Sequence, residues 1–428
     1  MINDEIKIIQ LNTGITDNSA PNRLRLALKK VGIYTTLVTM KKEVKDENII
    51  QIPLNTGYRI LRKLDYLLSK LEYRKNYNID EGIPFSFYRV GVNLAKYDFV
   101  KKADIIEIHW VCGSFLSPKS IHDIIKLNKP VIIVCHDNWH FTGGCHVRLG
   151  CERFTDNCGK CPQLHSTKMY DWSYYLVKKK KKLFQGGKIT VVSPSSWMDQ
   201  NVLRSSVLKA YPHYIIPNAL DITFFKKKDK NIVRKKYDIS EKTIVLAYGA
   251  VNSTSIPYKG YKQLLEALEI FEKEYNGEKK IEALVFGSDK KGTKDDINIK
   301  VRYTGYLNQA QMVEVYNCAD IYIVPSLEDS FNYTVAESLA CETPVVAFST
   351  GGIIDIIDHM KCGYLAEYNN PRSLAEGIIW VLENNKNNVL GRAGRKKVKE
   401  KFSEEVIGKQ FKELYQNLME KEDGRKFV

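Results

Sequence analysis

Short apolar runs alternate with amphipathic helical stretches through most of the 428 residues, and this predicts an α/β chain of two Rossmann-like, doubly wound domains. Two observations carry the prediction. The chain opens with a strand–loop–helix–strand unit from IKIIQLN onward, and the same alternation restarts at IVLAYGA, beyond the charged stretch KKKDKNIVRKKYD. The length also suits two domains of about 200 residues each.

Taken in order, the first strand is Ile6 to Asn12, followed by a loop over Gly14 to Ala20. A helix over Asn22 to Lys30 then sets Leu24, Ala27 and Leu28 on one face, and TTLVTM is the next strand. Tyr58 to Arg74 reads as an amphipathic helix, with Leu61, Leu64, Leu68 and Leu71 at helical spacing and Arg59, Arg62, Lys63, Lys70 and Arg74 around the rest. That pattern suits either a helix packed on its own core or one reaching anionic headgroups. DIIEIHW and VIIVCHDNW are buried parallel strands that bring His109 and His136 to their carboxyl ends. In MYDWSYYLVKKKKKLF, Tyr170, Trp172, Tyr174 and Tyr175 precede Lys178 to Lys182, a second combination suited to a headgroup layer or to a plain solvated face. The domain boundary falls near residues 213 to 240. Beyond it come IVLAYGA, a helix over Tyr261 to Tyr275, IEALVFG, VRYTGYL and GYLAEY.

Composition narrows the partners. No apolar run approaches the ~20 residues that span a bilayer, and MINDEIKIIQLN lacks the features of a signal peptide. A cytoplasmic protein is expected. Nine cysteines then read as thiols or metal ligands rather than a disulfide framework. A net charge of +15 fits nucleic acid, anionic lipid or phosphorylated small molecules. No nucleic-acid motif stands in the sequence, so an anionic membrane surface and a phosphorylated substrate are the expected partners.

The most informative stretch is IYIVPSLEDSFNYTVAESLACETPVVAFSTGG, Ile321 to Gly352: strand, polar loop, helix, buried strand. Ligands of such units sit at the strand carboxyl ends against helix N-termini. The amides of Phe331 to Val335 should open the helix unpaired, an arrangement that suits a pyrophosphate. Asp329 and Glu337 flank it, and a nucleotide sugar offers hydroxyls for both.

This block resembles the donor site of retaining glycosyltransferases of family four, whose signature is an acid, seven residues, then Glu. HDNWHFTGGCH, VVSPSSWM and IIPNALDITFF resemble segments of the colanic-acid-type branch of that family. The resemblance implies the GT-B architecture, two such domains facing across a cleft. It divides the chain at 1–212 and 213–405, with a final helix in 406–428 crossing back to the first domain. It implies metal-independent, retaining transfer of a hexose from a UDP- or GDP-sugar to a lipid-linked polysaccharide or glycolipid, on the inner face of the plasma membrane, without a catalytic cofactor.

By the same resemblance, Lys259 of YKGYKQLLEAL holds the diphosphate and Glu337 the ribose. Asp329 contacts the transferred sugar with the backbone of Ser330, Phe331, Asn332, Tyr333, Thr334 and Val335. Gly287 and Tyr306 lie near the base, His136 beside the anomeric carbon, and Gly14, Ser19 and His109 on the acceptor side. The chain departs from the family pattern in having no Gly-Gly after Thr13 and no arginine before Lys259. Asp295-Asp296 reads as a solvated turn rather than a metal site. Cys145, Cys151, Cys158 and Cys161, spaced C-x5-C-x6-C-x2-C, are candidates for a structural zinc or for buried thiols. Two other classes fit the sequence less well: a GT-B enzyme such as a nucleotide-sugar epimerase, and a non-catalytic nucleic-acid- or membrane-binding protein.

Overall fold

The computed structural model describes residues 6–76, 83–87, 89–288 and 298–423. Asp295-Asp296 lies outside them. The chain divides into two compact units, one of residues 1–219 with 404–428 and one of residues 220–403.

The first unit holds β1 (Ile8–Leu11), β2 (Gly14–Ile15), β3 (Thr35–Thr39), β4 (Lys41–Lys42), β5 (Ile49–Gln51), β6 (Ile105–Ile108), β7 (Val131–Val134), β8 (Ile189–Ser193) and β9 (His213–Ile215). Seven of these form one parallel sheet in the order β5-β3-β1-β6-β7-β8-β9, and β2 pairs with β4 apart from it. Ile8 lies opposite Thr35 on one side and Ile105 on the other. Both faces are covered, so successive residues serve different cores: Ile9 and Leu11 join one apolar cluster, and Ile8 joins another. The second cluster is shared by the helix Ala20–Lys30 and the C-terminal helix Glu404–Asp423, through Leu24, Ala27, Leu28, Ile407, Phe411 and Leu414. Gly408 allows the close approach, since a Cβ there would come within 2.6 Å of the Ala27 carbonyl oxygen.

The second unit holds β10 (Ile244–Gly249), β11 (Ile281–Phe286), β12 (Lys300–Tyr303), β13 (Ile321–Val324), β14 (Val345–Phe348) and β15 (Gly363–Ala366). They form a parallel sheet ordered β12-β11-β10-β13-β14-β15. Val245 and Ala247 face one core, Ile244, Leu246 and Tyr248 the other. In both sheets the chain moves outward from a central strand and then returns to its other side. The switch points therefore lie between β1 and β6 and between β10 and β13, where the loops beyond the strand ends diverge and leave room for a ligand.

Candidate functional site

At the second unit's switch point, the loop after β10 carries Lys259 and the loop after β13 carries Asp329. Lys259 Nζ stands 2.8 Å from Asp329 Oδ1, and both side chains are largely shielded. Burial alone would lower the Lys259 pKa, but the charge and hydrogen bond of Asp329 outweigh it and hold the ammonium above its ordinary range. An ammonium has three donors and a carboxylate accepts at two oxygens, so such a pair can also engage a ligand. Asp329 Oδ2 accepts from Asn332 Nδ2 at 2.8 Å, which fixes the carboxylate.

The backbone is knitted tightly enough here to demand glycine. Gly260 is left-handed at φ 77°, and a Cβ on it would fall 1.9 Å from the Pro325 carbonyl oxygen. Gly351, at φ 55°, meets the Asp329 carbonyl oxygen in the same way, and the Gly352 amide donates to that oxygen at 2.8 Å.

The helix Tyr333–Ala340 is capped by Asn332, whose Oδ1 accepts from the Val335 amide at 3.1 Å and from Thr334 Oγ1 at 2.7 Å. That cap corrects the sequence expectation in one respect: Val335 does not open the helix unpaired. The Phe331 ring is buried edge-on against Phe402 and Tyr333, which leaves Ser330 and the backbone as the polar part of this turn. Glu337 is 1% exposed and accepts from the Tyr316 hydroxyl at 3.0 Å. Burial and this carboxylate together push the Tyr316 pKa well up. Gly287 (φ 84°) follows β11, and the exposed Tyr306 follows β12 and donates to Asn252.

The first unit's switch point is built from side-chain hydrogen bonds instead. Beyond β1, Asn12 Oδ1 accepts from the Trp110 amide at 2.9 Å, and the Thr13 amide donates to the Trp110 carbonyl at 2.8 Å. His109 Nδ1 lies 2.9 Å from His136 Nε2, so one ring donates to the other. Behind them Glu107, fully buried in β6, accepts from Gln10 at 2.8 Å and from Tyr415 of the C-terminal helix at 2.9 Å. Its Oε2 is 3.5 Å from His109 Nε2. Burial and the neighbouring His109 push the His136 pKa down to about 3, so its ring is neutral near pH 7.

The segment after His136 is anchored as well. Asp137 Oδ2 pairs with His146 Nδ1 at 2.6 Å, and His146 Nε2 meets Ser86 Oγ at 2.7 Å. Burial would raise the Asp137 pKa, but His146 holds it below the usual carboxylate range. Lys180 is buried, donates to the carbonyls of Trp139 and Thr142, and lies 3.9 Å over the Trp139 ring. Desolvation lowers its pKa to about 8.

Other sequence expectations fare as follows. Lys178 to Lys182 is not a continuous exposed run: Lys180 is internal, and Lys181 is partly buried and bonded to Asn157 at 3.3 Å. Gly14 has ordinary backbone with nothing nearer than 3.9 Å to a Cβ, and Ser19 donates back to the Thr16 carbonyl at 2.8 Å. The open backbone at Gly14 agrees with the departure from the family's Gly-Gly pattern. Cys145, Cys151, Cys158 and Cys161 are free thiols around one small pocket, yet among the described residues no group of three or more His, Cys, Asp or Glu is arranged to hold a metal ion. The Cys158 sulfur faces the Gly143 amide, and that of Cys161 faces the amides of Gln163 and Leu164.

Sequence reasoning missed Glu107, Tyr415, Asp137, His146 and Lys180. A glutamate inside the apolar run IIEIH was the available signal for the first.

Two parallel sheets of this order, each with its polar residues at the switch point, define the GT-B class of fold. Residues 229–397, which lie in the second unit, match the family model of glycosyl transferases group 1. The chain is similar to an uncharacterized glycosyltransferase of Methanocaldococcus jannaschii, 24% identical over 362 residues that take in 77% of this chain and 89% of that one. It is similar to the capsular polysaccharide biosynthesis glycosyltransferase CapM of Staphylococcus aureus at 21% identity, with 61% and 70% covered. Anabaena HepE, solved in complex with UDP-glucose, shares the fold with a TM-score of 0.64 over 96% of this chain and 100% of that one, at 15% identity.

Proposed function

We propose that the chain transfers a sugar, with retention, from a UDP- or GDP-sugar to a lipid-linked polysaccharide or glycolipid acceptor at the inner face of the plasma membrane. The observation that carries this reading is the Lys259–Asp329 pair at the switch point of a group 1 glycosyltransferase domain. Breaking an anomeric C–O bond leaves charge on a diphosphate, and a fixed ammonium beside a helix N-terminus neutralises it. Lys259 therefore takes the diphosphate, and Asp329, with the turn at Ser330, takes the sugar hydroxyls. Glu337 takes the ribose, held in place by Tyr316, while Gly287 and Tyr306 lie on the base side. The neutral His136 is suited to accept or donate a hydrogen bond at the reacting sugar, with His109 orienting it. The HDNWHFTGGCH segment resembles that of the colanic-acid-type branch, and similarity to CapM supports a surface polysaccharide as the product.

The test is release of UDP or GDP from a panel of nucleotide sugars, with and without lipid-linked acceptors, by wild type and Asp329→Asn. One donor class should be turned over by wild type and lost in the variant. Wild-type turnover in Asp329→Asn, or epimerised donor without transfer, would remove this reading.

A further inference from the structure

The helix Thr56–Asn76 has an apolar face that the protein does not cover. Ile60, Leu61, Leu64, Leu67, Leu68 and Leu71 are each 50–63% exposed. At 3.6 residues per turn these six occupy roughly 120° of arc. A different arc faces the body of the unit. Tyr58 donates to the Ser114 carbonyl, Asp65 pairs with Arg89 at 3.5 Å, and Ser69 accepts from the same guanidinium at 3.5 Å. The helix is thus tethered by one side while its leucines point elsewhere. The sequence left a core-packed helix and an interfacial one both open, and the packing removes the first.

Beyond the apolar arc on the side away from the tether come Lys63, Lys70 and Arg59, with Arg62 further round beside the tether, all exposed. Asp65 is turned inward, so the exposed charge of this described surface is positive. A stripe of aliphatic side chains bordered by ammonium and guanidinium groups matches one partner, the boundary between acyl chains and anionic headgroups. Among the described residues no helix is long and apolar enough to cross a membrane, so this one would lie in the plane of the surface.

We infer that the helix Thr56–Asn76 inserts its leucine face into an anionic lipid monolayer and docks the first unit there. The purpose of this docking rests on the lipid-linked acceptor reading, though its geometry does not.

The test is co-sedimentation of the full chain with vesicles of phosphatidylcholine and phosphatidylglycerol at 3:1, and with phosphatidylcholine alone. Wild type should bind the mixed vesicles, and the triple variant Leu64→Ser, Leu67→Ser, Leu71→Ser should bind them at least about tenfold more weakly. Because these leucines are exposed, the variant should keep its far-ultraviolet circular dichroism and its turnover of water-soluble donor. Equal binding by the variant, or no binding by wild type, would overturn the inference. A wild-type dimer that the triple variant dissolves would also overturn it, because a second copy would then cover this face. Absence of vesicle binding by wild type with its donor turnover intact marks failure here, whereas failure of the transferase reading would show as missing turnover in wild type.

Discussion

The two switch points occupy the same place in two sheets of the same strand order, yet their chemistry is opposite. In the second unit a permanent cation meets a carboxylate on loops that glycine lets approach within contact. In the first, His136, held neutral by burial, and its partner His109 stand in front of a buried glutamate. Topology supplies a location in both cases, and side-chain charge decides what can be held there. A diphosphate needs the fixed charge of the second. A hydroxyl needs only the hydrogen-bonding capacity of the first.

The comparison is broken most directly by removing the cation. Lys259→Ala should reduce turnover by about 10²–10³-fold, the size of losing one preorganised group at developing charge. Its circular dichroism should be unchanged, and turnover within a few-fold of wild type would show that the diphosphate is held elsewhere. Next in size is Gly260→Ala, which adds left-handed strain of about 1–3 kcal/mol to a contact with the Pro325 carbonyl. The loop must then shift, so urea unfolding should show the loss together with weaker donor binding. An unchanged midpoint would mean that the two loops are not wedged together.

A smaller effect sharpens the role of Glu337. Tyr316→Phe removes a buried donor and should cost about 1–2 kcal/mol of stability, whereas Glu337→Gln keeps an oxygen for Tyr316 and should instead raise KM for the donor. If both variants changed only stability, Glu337 would be a core residue and not a ribose ligand.

The remaining effect belongs to the first unit and is read as a slope with pH. Unfolded histidine takes a proton near pH 6.5, while burial holds folded His136 to about 3 and His140 to about 4. The unfolded chain therefore binds protons first. Stability is complete above pH 6.5 and falls as pH drops toward 5, by at most about 1.4 kcal/mol per pH unit for each histidine. His140→Gln should roughly halve that slope in urea titrations, and an identical slope would contradict the burial argument.

The turn around Asp329 was legible in the sequence because its demands are local. Asn332 and the closing Gly351-Gly352 meet Asp329 within one strand–loop–helix unit, whereas Lys259 and Gly260 meet Asp329 and Pro325 on a distant loop and were legible only through the family resemblance. The first unit's network was hidden because its partners are far apart in the chain: Glu107 meets Gln10 and Tyr415, and Lys180 reaches back to Trp139. A run of five lysines gives no sign that the third is internal. The helix Thr56–Asn76 was visible as an amphipathic pattern, but periodicity does not say whether an apolar face is covered; only packing does. The cysteine spacing left a structural zinc and buried thiols both open, because the positions of the four side chains follow from the fold of a long irregular loop that no local rule predicts.

The central claim is that the second unit's switch point, through Lys259, holds a nucleotide diphosphate. Thermal unfolding with UDP- and GDP-sugars, measured for wild type, Lys259→Ala and His136→Gln, tests it most directly. At saturating donor, about 100 times Kd, binding should stabilise wild type by about 2.7 kcal/mol. That shift should persist in His136→Gln and vanish in Lys259→Ala. A full shift in Lys259→Ala would contradict the account.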